Sequence, residues 1–195
     1  KYIPIDEKHP ISSQSPYSAS KISADQLALS YWNSFQMPIK IIRPFNIYGP
    51  RQSSRAVIPS IIIQALNNKK EIKLGNIEPS RDFTYVTDTC NAFLDILKIK
   101  NFFGNTLNVG SNNEYTIEDI AKKILAKLNL KTTIKKEKRR VRSANSEVTR
   151  LVCDNSKILK HTKWKPETKI EKGLDITINW FKDFKDFFKH DIYHV

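Results

Sequence analysis

Apolar positions along this chain follow two periods that alternate from end to end. Ser15-Pro16 pairs a capping hydroxyl with a proline suited to the first helical position. Behind it Ala24, Leu27, Ala28, Tyr31 and Phe35 recur at three- and four-residue spacing. They predict an amphipathic helix over 16–35, stopped by Pro38. Ile39-Lys40-Ile41-Ile42-Arg43 then reads as a short buried strand and Tyr48-Gly49-Pro50 as a turn. A second helix is expected from Val57 to Asn67, followed by strands at Ile72-Lys73-Leu74 and at Phe83–Val86. Asp88 is placed to cap a helix carrying Phe93, Leu94 and Leu97, and Leu107-Asn108-Val109 makes a further strand. Thr116–Asp119 has capping-box spacing ahead of an apolar stripe at Ile117, Ile120, Ala121, Ile124 and Leu128. Thr168–Glu171 repeats that pattern before a last helix with Leu174, Phe181, Phe184 and Phe188. Strands alternating with helices predict an α/β fold. The irregular stretch over 139–153 is too long for a plain connection and is a candidate for contacting a ligand.

Composition narrows this picture. With 39% hydrophobic and 27% charged residues, the 195-residue chain reads as a folded globular protein. No apolar run approaches the roughly 20 residues of a membrane-spanning helix, so no membrane partner is expected. The start, Lys1-Tyr2-Ile3-Pro4, lacks both a methionine and a secretory h-region, and reads as the middle of something longer. Cys90 and Cys153 have no metal spacing and read as free thiols packed like small hydrophobes. His190 and His194 stand four apart without an accompanying carboxylate motif, which reads as a solvated tail; no metal site is expected. Much of the +13 formal charge lies over Lys135–Arg142. The plain reading of that run is a solvated surface, with one or two arginines available to a phosphorylated ligand. No nucleic-acid-binding motif accompanies it.

Tyr17 and Lys21, four apart at the head of the first helix, project from one face. Such a pair can take a proton from an alcohol while a hydride leaves the same carbon. Spacing alone carries little weight, because in a lysine-rich chain with seven tyrosines about one such pair arises by accident. The context carries more. Ser15-Pro-Tyr17-Ser-Ala-Ser-Lys21 is followed by Ile42-Arg-Pro44-Phe-Asn46-Ile-Tyr48-Gly-Pro-Arg51, Arg81-Asp-Phe-Thr-Tyr-Val-Thr-Asp88, Leu107-Asn-Val-Gly110 and Trp164-Lys-Pro166. In this order the motifs resemble the extended short-chain dehydrogenase/reductase superfamily, the NAD-dependent epimerase/dehydratase family. The resemblance covers nearly the whole chain.

That resemblance implies the C-terminal part of an NAD(P)-binding Rossmann domain plus a smaller α/β substrate-binding domain. Residues 1–50 would end the Rossmann part with the Tyr/Lys helix and its following strand. Residues 51–195 would be mainly the nucleotide-sugar domain, with segments around 81–110 returning to the Rossmann half. By the same resemblance Tyr17 is the catalytic base, and Lys21 binds the nicotinamide ribose and tunes it. Pro44 lines the nicotinamide pocket, and Asn46, Arg81 and Arg142 hold the sugar-nucleotide diphosphate. Val57, within Arg55–Pro59, and Leu74, within Lys73–Gly75, fall where the family covers the nucleotide base. The plainer alternatives stay open: Asn46 as a turn former, and Arg81 paired with Asp82 or Asp88. The segment Arg142–Val148 is most similar to bacterial sugar-nucleotide 4,6-dehydratases of nonulosonic-acid synthesis, which act on GDP-N-acetylglucosamine, although Ser143 stands where those relatives have proline.

The family holds NAD through a glycine-rich turn, and the five glycines here, at 49, 75, 104, 110 and 173, include no pair close enough to form one. The resemblance therefore implies a portion of a cytoplasmic, homodimeric enzyme of cell-surface polysaccharide synthesis, with NAD as cofactor and a nucleotide-diphosphate sugar as substrate. A 4,6-dehydratase is the leading reading. A 4-epimerase with the same Tyr/Lys chemistry and a non-catalytic nucleotide-sugar binding domain are the alternatives.

Overall fold

In the computed structural model, which describes residues 1–67, 70–141 and 146–188, strands and helices alternate as the sequence pattern predicts. Helix α1 (Pro16–Phe35) leads into β1 (Lys40–Pro44) and β2 (Asn46–Tyr48). Then come α2 (Val57–Asn67), β3 (Glu71–Leu74), β4 (Ser80–Tyr85) and α3 (Val86–Lys98). The second half holds β5 (Asn105–Val109), β6 (Glu114–Thr116), α4 (Ile117–Lys127), β7 (Thr133–Lys136), β8 (Arg150–Leu151), α5 (Ser156–His161) and α6 (Ile170–Asp183). Parallel pairs join β1 to β5 and β3 to β7. Strand β4 is the hub of a third sheet, parallel to β2 and β8 and antiparallel to β6.

Two clusters of buried side chains form. The larger packs α2, α4 and α6 on β3 and β4, with Ile61, Ile62, Ile72, Ile120, Ile124, Leu174 and Phe181 at its centre. The smaller gathers Ala92, Ile96, Leu107, Val109, Ile158 and Trp164 around β5. Burial of these side chains is the main favourable term, at roughly 25 cal/mol per Å² of apolar surface. Within the larger core the Tyr48 hydroxyl is buried without a hydrogen-bond partner, as is Thr84 Oγ1. A buried hydroxyl that finds no partner costs stability. Tyr48→Phe is therefore expected to leave stability unchanged or raise it by about 1 kcal/mol, read from urea unfolding midpoints; a loss above that would reveal a partner for the hydroxyl.

Where local signals set the ends of helices, prediction and structure agree. Ser15 caps α1 in a box with Ser18, and Thr116 caps α4 in a box with Asp119. Where a distant partner intervenes, they differ. Asp88 does not cap α3, which starts at Val86; its carboxylate accepts from Thr168 N at 2.9 Å and Thr168 Oγ1 at 3.2 Å. Thr168 is thereby drawn away from capping α6, whose N-cap is Lys169. On α3 the buried face is Asp88, Thr89, Ala92 and Ile96, leaving Phe93, Leu94 and Leu97 exposed. Phe184 lies exposed at the end of α6, and Phe188 packs on the core from beyond it.

Helix α1 shows the largest departure. Its predicted apolar stripe faces solvent, with Leu27 62% and Phe35 72% exposed, and only Ala28 of the stripe is partly covered. The inner face instead carries Ser18, Ile22, Asp25, Leu29 and Trp32. Trp32 lies against Phe103 and over Gly104, whose φ of +71° and lack of a side chain make room for the indole. Arg43 Nε on β1 donates to Asp25 Oδ2 at 2.6 Å.

The loop after β5 is clasped by a buried carboxylate. Asp82 Oδ1 accepts from Ser111 N and Ser111 Oγ at 2.8 and 2.6 Å. Its Oδ2 accepts from Asn112 N and Cys153 N at 2.8 and 3.2 Å. Burial pushes the Asp82 carboxyl above the usual carboxylate range, while these donors pull it the other way. Cys153 packs behind the clasp, its side chain against Gly110. Cys90, by contrast, is exposed and does not pack as a small hydrophobe.

Candidate functional site

Alternation along β4 points Arg81 and Phe83 to one face and Ser80, Asp82 and Thr84 to the other. The first face forms the floor of a cleft of about 400 Å³ beside the larger core. The parallel register sets Asn46 of β2 against Phe83, so Asn46 and Arg81 share that floor. Val57 opens α2 at the cleft wall, and the first turn of that helix holds no acidic residue, leaving the positive end of its dipole uncompensated there. Leu74 and Gly75 bring the end of β3 to the opposite side. Strand β3 is fixed there by Gln64, which accepts from Lys73 N at 2.9 Å and donates to Lys73 O at 3.2 Å. Gly75 lets the backbone of Arg140 come close: its carbonyl oxygen lies 2.3 Å from where a Cβ would stand.

The cleft is cationic, with anionic counterweights. The Arg81 guanidinium is 12% exposed, donates to Ser80 O at 2.8 Å and lies 3.5 Å from Glu147. Glu147 also accepts from Asn76 Nδ2 at 3.2 Å. Among the described residues Arg81 forms its ion pair with Glu147; Asp82 serves the clasp and Asp88 serves Thr168. Arg140 pairs with Glu137 at 2.6 Å and is largely buried, so it does not belong to the solvated run in which the sequence places it. Lys135, Lys136, Lys138 and Arg139 are exposed as expected. Asn46 Oδ1 and Gln52 Oε1, both on lining residues, are buried without a hydrogen-bond partner among the described residues. They are ready to accept from a ligand hydroxyl or amide.

Of the residues singled out by sequence, Asn46, Val57, Leu74 and Arg81 meet in this cleft. Tyr17, Lys21 and Pro44 are not among its lining. Tyr17 is 72% exposed, and Lys21 Nζ lies 5.5 Å from the centre of its ring. Pro44 is exposed at the end of β1. Arg142 lies outside the described residues, as do His190 and His194. Gln52 was missed by sequence reasoning, whereas Arg140 and Glu147 line the cleft from within the 139–153 stretch expected to contact a ligand, though neither was singled out there. Glu147 stands inside the quoted Arg142–Val148 segment, whereas Gln52 carries no spacing signal at all. Among the described residues no group of His, Cys, Asp and Glu side chains could hold a metal, and no helix is long and apolar enough to cross a membrane.

Behind Arg81, a second ion pair stiffens the sheet. Glu114 on β6 receives two hydrogen bonds from Arg150 on β8, at 2.7 and 2.6 Å, and one from Ser80 on β4. The Arg150 bonds first, then Ser80, lower its carboxyl from 4.5 to about 2. A depressed carboxylate adds stability above its unfolded value and loses that contribution as pH falls through its folded one. The melting-temperature deficit of Glu114→Gln should therefore be constant at neutral pH and shrink as pH drops from 4.5 toward 2. A deficit that does not change with pH would mean that the carboxylate charge contributes nothing.

Comparison with known proteins places these features. The family model for GDP-mannose 4,6 dehydratase matches residues 1–177. Human dTDP-D-glucose 4,6-dehydratase is 31% identical over 182 residues, 92% of this chain and 51% of that protein. The structure of dTDP-glucose 4,6-dehydratase from Bacillus anthracis in complex with NAD superposes with a TM-score of 0.82 at 30% identity, covering 93% of this chain and 57% of that one. UDP-glucuronic acid 4-epimerase from Bacillus cereus, in complex with UDP-glucuronic acid and NAD, superposes with a TM-score of 0.87 at 27% identity, covering 94% and 58%. The chain spans about half the length of these relatives.

Proposed function

The chain belongs to the GDP-mannose 4,6-dehydratase family, within the NAD-dependent epimerases and dehydratases of nucleotide-sugars, and from that premise we propose that it supplies the substrate cleft and the proton-transfer pair of a nucleotide-sugar 4,6-dehydratase. The observation that carries this reading is the convergence of Arg81, Asn46 and the α2 N-terminus on one cleft, a donor set suited to a diphosphate. Leu74 and Val57 supply apolar walls for a base. Arg142, close in sequence to the lining residue Glu147, is assigned to the same diphosphate.

Tyr17 takes the proton from the sugar C4 hydroxyl, and Lys21 places positive charge over the Tyr17 ring, 5.5 Å from its centre. When bound, NAD supplies the hydride acceptor. The described residues fit its nicotinamide end, where Tyr17, Lys21 and Pro44 stand exposed, but not its pyrophosphate. All five glycines have protein atoms where a Cβ would sit, so none forms an open cradle. The two separate cores support a division between cofactor-side and substrate-side parts. The epimerase reading keeps the support of the Bacillus cereus structure, since both reactions open with the same step.

Titration calorimetry of the chain with UDP, dTDP, GDP and NAD tests the cleft. At least one nucleoside diphosphate should bind, Arg81→Ala should weaken it about tenfold or more, and NAD should show no saturable binding at micromolar concentration. Absence of nucleotide binding, or indifference to Arg81→Ala, would count against the reading. In the full-length enzyme, a product lighter by one water marks the dehydratase and an isomer of unchanged mass marks the epimerase.

A further inference from the structure

Within this chain the helix that carries Tyr17 and Lys21 has no fully buried residue, and Ile22 and Leu29 on its inner face are only partly covered, so apolar packing sets its rotation loosely. Two directional contacts anchor that face. At the far end Trp32 rests on Phe103 and Gly104. In the middle Asp25 meets Arg43, the two side chains 24% and 26% exposed. We propose that the Asp25–Arg43 ion pair is a rotational lock on α1 that aims Tyr17 and Lys21 at the substrate. The proposal rests on the catalytic reading of that pair given above, and it makes Asp25 a positioning residue.

The geometry follows from helix and strand dimensions. Gly104, under Trp32, donates its N–H to Ile39 O just before β1, whereas Arg43 is the penultimate residue of that strand. Helix α1 therefore runs back along β1, from the strand's start at Trp32 to its end at Asp25. Continuing at 1.5 Å per residue, Lys21 lies about 6 Å and Tyr17 about 12 Å beyond Asp25, past the C-terminal end of β1. That is the side of a parallel sheet on which ligands collect. Tyr17, Lys21 and Asp25 are successive steps of four residues, each turning about 40°, so Lys21 neighbours Asp25 and Tyr17 stands about 80° round from it, toward the exposed side of the helix. Slippage by one residue would turn the helix by about 100° and redirect both Tyr17 and Lys21. The Trp32 contact lies at the opposite end of the helix from Tyr17, and the partly covered Ile22 and Leu29 pack without a directional bond, so a second fixed point is needed to set rotation. Arg43 supplies the second point because β1 is itself fixed, its backbone paired with β5 from Lys40 to Pro44.

Hydrogen-exchange mass spectrometry of the chain tests the lock without relying on turnover. Asp25→Asn and Arg43→Gln should each speed exchange of peptides from 16–35 about tenfold or more, while peptides from α2 and α4 stay unchanged. The swapped double variant, Asp25→Arg with Arg43→Asp, should bring exchange back to within about threefold of the parent. In the full-length enzyme Asp25→Asn should lower kcat with KM unchanged, and the swap should recover it. Unaltered exchange in α1, acceleration spread equally into α2 and α4, or failure of the swap to restore α1 would each overturn the lock. A full-length enzyme without dehydratase or epimerase turnover would instead remove the catalytic reading, and the exchange result would still decide the lock.

Discussion

Asp82→Ala is expected to cost about 3–5 kcal/mol of folding stability, enough to consume much of what a domain of this size possesses. Asp82 is fully buried, and its two oxygens take four hydrogen bonds from Ser111, Asn112 and Cys153. Alanine removes every acceptor at once and leaves three backbone N–H groups facing a space that nothing fills. An unmade buried hydrogen bond costs about 1–3 kcal/mol, and the three share one site, so their sum falls short of simple addition. Asp82→Asn keeps the shape and one acceptor oxygen and should lose less than half as much. Urea unfolding followed by far-UV circular dichroism measures both. A loss under about 1 kcal/mol for alanine would mean that solvent satisfies the loop, and the clasp would cease to be a stabilising element.

The second large effect is on turnover. In the full-length enzyme Tyr17→Phe is expected to lower kcat by about 10²- to 10⁴-fold, the usual contribution of a positioned proton acceptor. KM for the nucleotide-sugar should stay within about threefold, because the cleft proposed to hold the diphosphate is one that Tyr17 does not line. Stability should stay within about 0.5 kcal/mol, because the side chain is 72% exposed. The split matters more than the size. A rise in KM at constant kcat would make Tyr17 a binding residue and remove proton transfer from its role. Steady-state kinetics with the substrate that the calorimetric panel selects provides the measurement.

The elements themselves were legible wherever the signal is local. Helix α2 runs over the residues its apolar pattern marks, and the capping boxes at Ser15 and Thr116 stand where expected. Which face of an element is buried was less legible when its partner is not a sequence neighbour. The Ala24–Phe35 stripe of α1 has the spacing of a buried face, yet the sheet meets the Asp25–Trp32 face, where Ile22, Leu29, an ion pair and an indole make the contact. Asp88 looks like a cap by position, and becomes a brace only through Thr168, eighty residues later. In the cleft, Arg81 and Asn46 were found through the family's motif. Glu147 was anticipated only as part of the irregular 139–153 stretch and Gln52 not at all, because one carboxylate or amide facing a cavity leaves no periodicity to detect. The sequence also counts Arg140 with its charged neighbours, and only the approach of Gly75 and the pairing with Glu137 separate it from them.

The Asp82 clasp also gives the molecule its own reporter. Cys153 is sealed behind it, and burial pushes its thiol far above the usual range, with the Asp82 carboxylate adding to the shift. Cys90 stands open to solvent. Thiol-directed reagents thus meet two sites of opposite character: one labelled at mixing, the other only while the β5 loop is released from Asp82. The slow phase of labelling counts the openings that uncover Cys153, and comparing its rate in Asp82→Asn with that of the parent reads how much of that opening the clasp controls.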